Sequence, residues 1–225
     1  MLAFGRTPDG VGIGVRLDAG ERTVLTEVVD QVLALLSDDP GGTAEPGHEG
    51  AASHPLDGLR MDGPVEAPTD PALHRLLPDA SRDDAEVTAE FRRLTEGDLR
   101  ATKTGNLSLL RGLLDDARPD LVIPVRDAPG VAAALTDLRL VVSQRIGIRT
   151  DADAEAVYTL ATTGAAGRSD RVDVGAVDSD GSAARVFLAT VYVVLSLLQE
   201  SLVDLLLDDL PLDGTEGSSP SDVAE

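Results

Sequence analysis

The chain has no cysteine and no tryptophan among its 225 residues, and only three histidines. Without a thiol it cannot form a disulfide, bind zinc or an iron–sulfur cluster through cysteine, or use a cysteine nucleophile. The charge-free run 186–199 near the C-terminal end has 14 residues, whereas roughly 20 are needed to cross a bilayer. The first 16 residues show no secretory signal pattern. We therefore expect a cytoplasmic protein without a membrane segment.

Basic residues are scarce: 19 Lys and Arg stand against 40 Asp and Glu, which gives a net charge of −21. Three segments rich in Gly, Pro, Ser and Asp carry most of the excess, with −6 in 38–69, −5 in 151–181 and −4 in 211–225. Their low apolar content predicts mobile acidic insertions and a disordered tail. The rest of 1–210 is predicted to be a single, mildly acidic domain, which disfavours nucleic-acid binding.

The spacing of apolar residues predicts a mainly α protein, a helical bundle with a small N-terminal β-hairpin and disordered acidic insertions. Alternation in 11–17 after a turn predicts the hairpin. Apolar residues recurring at three and four predict the helices. These are 18–37, 71–77, 83–94, 95–117, 127–146 and 182–209, with a helical turn at 155–162. The last helix is apolar on most sides, which is typical of a bundle centre or of a subunit interface, so a homodimer through it stays an alternative.

No residue pattern indicates catalysis or a cofactor. The glycines of 10–14 alternate within the predicted strand, whereas a dinucleotide-binding loop lies between a strand and a helix. His48, Glu49 and His54 could form a weak metal site, but ordering their mobile segment would cost free energy. No serine occurs in a nucleophile elbow or a Ser-x-x-Lys pattern. We predict that the protein is not an enzyme and holds neither metal nor cofactor.

The densest group of basic residues allows two interpretations. It consists of Arg92, Arg93, Arg100, Lys103 and Arg111. These are the candidate contacts for DNA or for a protein partner. Several of them border or enter the apolar arc of their own helix, so we favour the interpretation that alkyl stems cover the core while the charges reach solvent.

Two charges on otherwise apolar helices predict an ion pair. Glu200 lies on the last helix, and Arg145 lies near the end of the 127–146 helix. Charges in such places are usually paired when they are buried. We therefore expect Glu200 to meet an arginine of the 127–146 helix, with Arg145 as the first choice.

A motif in 76–107 carries a family resemblance. It consists of LLPDA at 76–80, EFRRLTE at 90–96 and DLR at 98–100, followed by Lys103, Asn106 and Leu107. Together with 15–17, 137–140, 145–148 and 198–203, the motif resembles a bacterial family long known only as a domain of unknown function. Some of its members are named AosR, oxidative-stress transcriptional regulators of actinobacterial type. The resembling stretches adjoin or enter each of the six predicted helices and leave out all three acidic segments.

The resemblance implies a cytoplasmic, mainly helical protein that acts in transcriptional control, through a protein partner in the transcription machinery. A thiol-based redox switch cannot operate in this chain, because it has no cysteine. Direct DNA contact would be weak for the protein alone, and the turn at 94–98 is where such contact would be sought. The alternative is a non-enzymatic helical interaction module of unknown role, whose acidic segments serve solubility or recruit a basic partner.

Overall fold

The computed structural model describes residues 2–37, 67–81, 83–168 and 181–209, and within them the protein is mainly helical, as predicted. The strands are β1 (Gly5–Arg6), β2 (Gly12–Arg16) and β3 (Asp120–Pro124). The helices are α1 (Ala19–Ser37), α2 (Pro71–Leu76), α3 (Ala85–Asp116), α4 (Ala128–Ile146), α5 (Asp151–Arg168) and α6 (Ser182–Asp208). The segments predicted to be disordered, 38–69 and 211–225, lie outside the described residues except for 67–69. The weak metal site at His48, Glu49 and His54 also lies outside them.

The sheet confirms the hairpin and adds a third strand. Strand β2 is central and pairs antiparallel with both β1 and β3. The hairpin turn closes where the Gly10 N–H donates to the Thr7 carbonyl at 2.8 Å. Gly12 lies within β2, where a Cβ would come within 3.1 Å of a Val122 methyl group. Gly12 therefore allows close packing within the sheet, and Gly10 forms the turn with φ +70°; neither lies between a strand and a helix as a dinucleotide-binding loop would.

Polar caps fix the helix ends that the sequence predicted. Asp18 and Glu21 exchange side-chain and backbone hydrogen bonds at the start of α1, both at 2.8 Å. Asp70 caps α2 and Asp84 caps α3, each accepting two backbone N–H groups. Gly147 ends α4 in a left-handed conformation with φ +81°. These contacts satisfy donors and acceptors that a helix end leaves free.

Helix α4 is the centre of the bundle. It packs against α6, α2, α3 and α1, and α5 packs on the outer side of α6. Helix α6 is long and apolar enough to cross a membrane by length and composition alone, a test that core helices of soluble proteins also pass. In this fold its buried residues are Ala189, Val191, Leu195, Leu198 and Leu202. Val191, Leu195, Leu198 and Leu202 lie on one side of the helix, whereas Ala189 lies nearly opposite, so the first half of α6 buries residues on two sides.

The predicted break at 94–98 is wrong, because α3 runs without interruption from Ala85 to Asp116. Thr95, the first residue of the predicted 95–117 helix, donates its hydroxyl to the Phe91 carbonyl one turn earlier, at 2.8 Å. Gly97 lies in the helix interior. Ion pairs between successive turns bridge this region, so a single glycine does not end the helix.

The prediction of a mobile insertion over 151–181 is wrong for 151–163, which lie in α5, whereas the predicted helical turn at 155–162 is confirmed as part of this longer helix. Val157 and Ala161 are buried, and the helix packs against α6. At its start, Thr150 and Asp153 form reciprocal hydrogen bonds between side chains and backbone. Acidic residues that suggested a solvated loop therefore cap and open a helix. Residues 169–180 lie outside the described part of the chain.

Candidate functional site

The inward face of α3 changes character along its length. At about 100° per residue, one face of the helix carries Arg92, Glu96, Arg100, Lys103, Leu107, Leu110 and Leu114. The three leucines are buried in the core, and so is Arg92, which is only 5 % exposed. The second half of the helix is thus held by apolar packing, whereas the first half is held by charge.

Arg92 is the centre of a row of charged and polar contacts that we call the charge ladder: His74, Asp79, Arg92, Glu96 and Arg100. Its guanidinium donates to the Asp79 carboxylate at 2.7 Å and to the Leu77 carbonyl at 3.3 Å, and it also pairs with Glu96. The hydrogen bond from Arg92, together with one from His74, lowers the pKa of Asp79. Arg92 thereby fastens α3 to the segment that follows α2.

The other end of the charge ladder reaches α1. Arg100 donates to Glu96 at 2.9 Å and to the Leu36 carbonyl, in the last turn of α1, at 2.6 Å. The Glu96 carboxylate therefore lies between two guanidinium groups, which compensates for its low exposure. The charge ladder positions α1 and α2 on one face of α3.

A separate ion pair joins α3 to α4. The Lys103 ammonium lies 2.5 Å from the Asp137 carboxylate, and their side chains are 16 % and 5 % exposed. Burial raises the pKa of Asp137, although the hydrogen bond and charge of Lys103 oppose the rise. The pair is a structural contact between helices, since both heads face the bundle interior.

All five basic residues predicted as DNA or partner contacts take part in ion pairs with carboxylates. Beside the three inward-facing bases, Arg93 pairs with Glu90 at 2.7 Å. Arg111 pairs with Asp115 and, at 2.7 Å, with Asp30 of α1. The interpretation that the charges of the group reach solvent is wrong for Arg92, Arg100 and Lys103, because the first half of α3 packs through its charges.

The predicted pair of Arg145 with Glu200 is also wrong. Arg145 contacts the Asp70 carboxylate at 2.8 Å, and Glu200 is exposed. Asp70 loses hydration by burial, yet the hydrogen bonds from Arg145 and from the first turn of α2 lower its pKa. Arg139 instead donates to Gln199 of α6 at 2.5 Å, with its guanidinium 5.5 Å from the centre of the Tyr192 ring.

The outward face of the first half of α3 is apolar. Val87, Phe91 and Leu94, which we call the apolar stripe, are 53 %, 50 % and 61 % exposed. Their spacing of four and three places them within an arc of about 60°, opposite the charge ladder. This half of α3 is therefore an inverted amphipathic helix, with charges inside and large apolar side chains outside.

Acidic residues border the apolar stripe. Glu86 and Glu90 flank it on one side, and Asp98 continues its line toward the C-terminal end of α3. All three are exposed, and Arg93, which pairs with Glu90, is the single exposed base between residues 83 and 102. The outward face thus combines apolar side chains with negative charge, a combination that can bind an apolar and basic surface.

The apolar stripe escaped prediction because its three residues have the spacing of a core face. The signal that could have found it is the register of Arg92, Glu96 and Arg100 with the leucines farther along. That register places the charged residues on the same side of the helix as the buried leucines. The general preference for burying apolar side chains points the other way, so the first half of the helix is predicted with its charged side outward.

A concave surface of the described chain lies beside α2, an open groove of about 540 Å³. Its polar lining includes His74, which pairs with Asp79, and Arg75, which hydrogen-bonds to Gln144 at 3.4 Å. Among the residues whose placement is described, no three His, Asp or Glu side chains are grouped to hold a metal ion.

Comparison with known proteins gives one finding. Residues 1–206 match the model of a family described as "Domain of unknown function (DUF2017)". The match includes all three strands and five helices, and it ends two residues before the end of α6. No curated protein and no solved structure matches the chain.

Proposed function

Since the chain belongs to the family described as a domain of unknown function, DUF2017, a description that assigns no activity, we propose a role from its surfaces: a non-enzymatic helical module that acts in transcriptional control through a protein partner. The observation that carries the proposal is the inverted amphipathic half of α3. It holds Arg92 and Arg100 in ion pairs inside the protein and presents apolar side chains outside.

The pairing of the basic residues argues against DNA binding by the protein alone. A protein binds DNA mainly by neutralising backbone phosphates with lysine and arginine. Here the densest group of bases already neutralises carboxylates of the same chain, and acidic residues exceed basic ones by 21 overall. Phosphate contact would require these ion pairs to be broken on a surface that repels phosphate.

The part of the proposal that concerns transcription rests on the resemblance of the 76–107 motif to AosR-type regulators. The motif residues Asp79, Arg92, Glu96 and Arg100 belong to the charge ladder, and Phe91 and Leu94 belong to the apolar stripe. The motif therefore builds both faces of the same half-helix. A regulator of this type would receive its signal through a partner, because a cysteine-free chain has no thiol to oxidise.

Autonomous DNA binding is tested by enrichment from a randomised duplex pool with the purified full chain. Binding is then titrated at about 50 and about 200 mM salt, a range over which phosphate contacts lose orders of magnitude in affinity. We expect no sequence-selective binding at the higher salt. Nanomolar selective binding that is lost in Arg93→Ala would contradict the proposal. Arg93 is the suitable probe because it is exposed, whereas Arg92→Ala would disturb the fold.

The role in transcription is tested separately by chromatin immunoprecipitation of the tagged full chain. We expect enrichment at promoters, and equal enrichment for Arg93→Ala, because a protein partner would bring the chain to DNA. A folded chain without promoter enrichment would contradict the role in transcription and leave the interaction module of unknown role.

A further inference from the structure

The apolar stripe lacks a covering partner within the described chain, although its side chains are of the size that a core normally buries. A helix on the surface of a globular protein usually turns its apolar side inward. In α3 the charge ladder holds the inward side, so Val87, Phe91 and Leu94 stay at least half exposed over two turns. Contiguous exposed apolar residues with a polar border are typical of interaction sites.

Charge distinguishes between the possible occupants. The three long segments of this chain outside the described residues are acidic: 38–66 has seven acids and one arginine, 169–180 has four acids and one arginine, and 210–225 has four acids and no base. Each would bring negative charge against Glu86, Glu90 and Asp98. A second copy would bring the same three acids and one base, Arg93, which is a net charge of −2 against −2, and like charges placed together across an interface are unfavourable.

From these observations we infer that the apolar stripe docks a basic amphipathic segment of a partner protein. The inference rests on the proposed function and names the chemistry of the partner. Val87 and Leu94 are about 10 Å apart along the helix axis, which suits two turns of a partner helix with apolar residues spaced by three and four. Phe91 lies between them and is the expected energetic centre. Lysine or arginine beside the apolar residues would meet the acidic border.

The inference is tested with two labelled synthetic peptides and the full chain, by fluorescence anisotropy. Both peptides are about 18 residues long, since shorter helices are marginal in water. They share one stripe of leucines, and their other positions carry lysine in one peptide and glutamate in the other. We expect the lysine peptide to bind at least roughly tenfold tighter, with an affinity that falls as salt rises.

The variant Phe91→Asp separates docking from general charge attraction. It adds a negative charge, so a purely electrostatic contact would strengthen, whereas docking on the apolar stripe should weaken by roughly tenfold or more. Phe187→Asp is the matched control, because Phe187 is an exposed phenylalanine on α6, and we expect it to leave peptide binding unchanged. Circular dichroism melting shows whether each variant is folded.

Three outcomes would overturn the inference. The first is equal affinity for the two peptides, or absence of binding to either. The second is peptide binding that survives in folded Phe91→Asp. The third is another occupant, shown by a dimer in sedimentation that Phe91→Asp dissociates, or by an intramolecular cross-link from Leu94→benzoylphenylalanine to 38–66. None of these outcomes affects the DNA titration, so the proposed function can stand when the docking surface fails.

Discussion

Ionised side chains on the inward face of α3 are retained in places where apolar residues would pack at lower cost. Removing a charge from water costs free energy that an ion pair repays only with good geometry and further hydrogen bonds. Arg92 meets this condition, with two carboxylates and a carbonyl as acceptors. Within the described residues, the Lys103 ammonium donates to a single carboxylate, that of Asp137. The pair with Asp137 is therefore the place where loss of a single partner should be felt most directly.

We expect Lys103→Met to lower the free energy of unfolding at pH 7 by about 3 kcal/mol, because it leaves the Asp137 carboxylate buried and unpaired. Burial already raises the pKa of Asp137, and loss of the ammonium should raise it further. A raised pKa in the folded state gives a stabilisation that is full below about pH 4 and is lost as pH rises through the folded value. The deficit should therefore shrink as pH falls from 7 toward 4.

Urea unfolding of both proteins across this pH range measures the effect. Lys103→Met/Asp137→Leu should regain most of the lost stability at pH 7, since neither charge then remains. Arg93→Met is a control, because it breaks an exposed pair and should change stability little at any pH. A deficit in Lys103→Met that stays constant with pH would show that Asp137 is not the cause.

The ion-pair partners of individual residues could not be predicted from the sequence, although some of the helix caps could. Asp70 was recognisable as a helix cap from the proline that follows it, and the structure confirms this role. Its second role, as the acceptor for Arg145 at 75 positions' distance, was not recognisable. Helical periodicity says which side of α4 is buried, but the choice of partner depends on how α2 is placed against it.

Among the elements, α3 shows how a local signal can be outweighed. Gly97 predicted a turn, but the residues around it continue the helix. A Cβ at this position would meet no atom within 4 Å. Glycine in a helix interior is less favourable than alanine by roughly 1 kcal/mol. The helix therefore forms in spite of Gly97, and nothing in the structure requires a glycine at this position.

Gly97→Ala should accordingly raise the free energy of unfolding by about 0.5–1 kcal/mol, as measured by chemical denaturation. Gly147→Ala is the matched control and should lower it, because Gly147 ends α4 with φ +81°, which is strained for alanine. If Gly97→Ala destabilised the protein, a left-handed turn at 97 would be indicated, and the continuous helix would be in error.

Helices with clear caps and periodicity were predictable, and the short strand was not. Strand β3 has five residues and ends in proline. Its pairing with β2 joins Val15 to Leu121 across more than a hundred positions. Only the burial of Leu121 and Ile123 against the bundle shows why the segment is extended. Strand β3 forms by pairing with the edge of the hairpin, so the local sequence pattern does not predict it.

For the whole molecule, α5 shows that part of the acidic segment 151–181 contributes to the stability of the folded domain. Composition alone grouped 151–181 with the acidic segments, yet Val157 and Ala161 are buried and α5 covers part of α6. Burial of one valine side chain alone contributes roughly 1.5–3 kcal/mol. Replacing 151–168 by a Gly/Ser linker should therefore destabilise the whole domain.

We expect that replacement to lower the melting temperature by at least about 4 °C, which corresponds to a loss of about 2 kcal/mol in a domain of this size. Differential scanning calorimetry measures the change. Glu155→Ala/Thr159→Ala is a control that keeps the buried residues of α5. An unchanged melting temperature after removal of α5 would mean that its packing against α6 contributes nothing.

The charge ladder has a consequence for how much sequence the domain can accommodate. Arg100 holds the Leu36 carbonyl and Arg92 holds the Leu77 carbonyl, so the chain on either side of 38–66 is tethered to α3 by its own main-chain oxygens. Neither tether uses a residue of 38–66. Each doubling of a flexible connection adds only about 0.6 kcal/mol of closure entropy. Because both arginines contact residues outside 38–66, we expect insertions or deletions within 38–66 to change the stability of the bundle little and to leave the packing of α1, α2 and α3 unchanged.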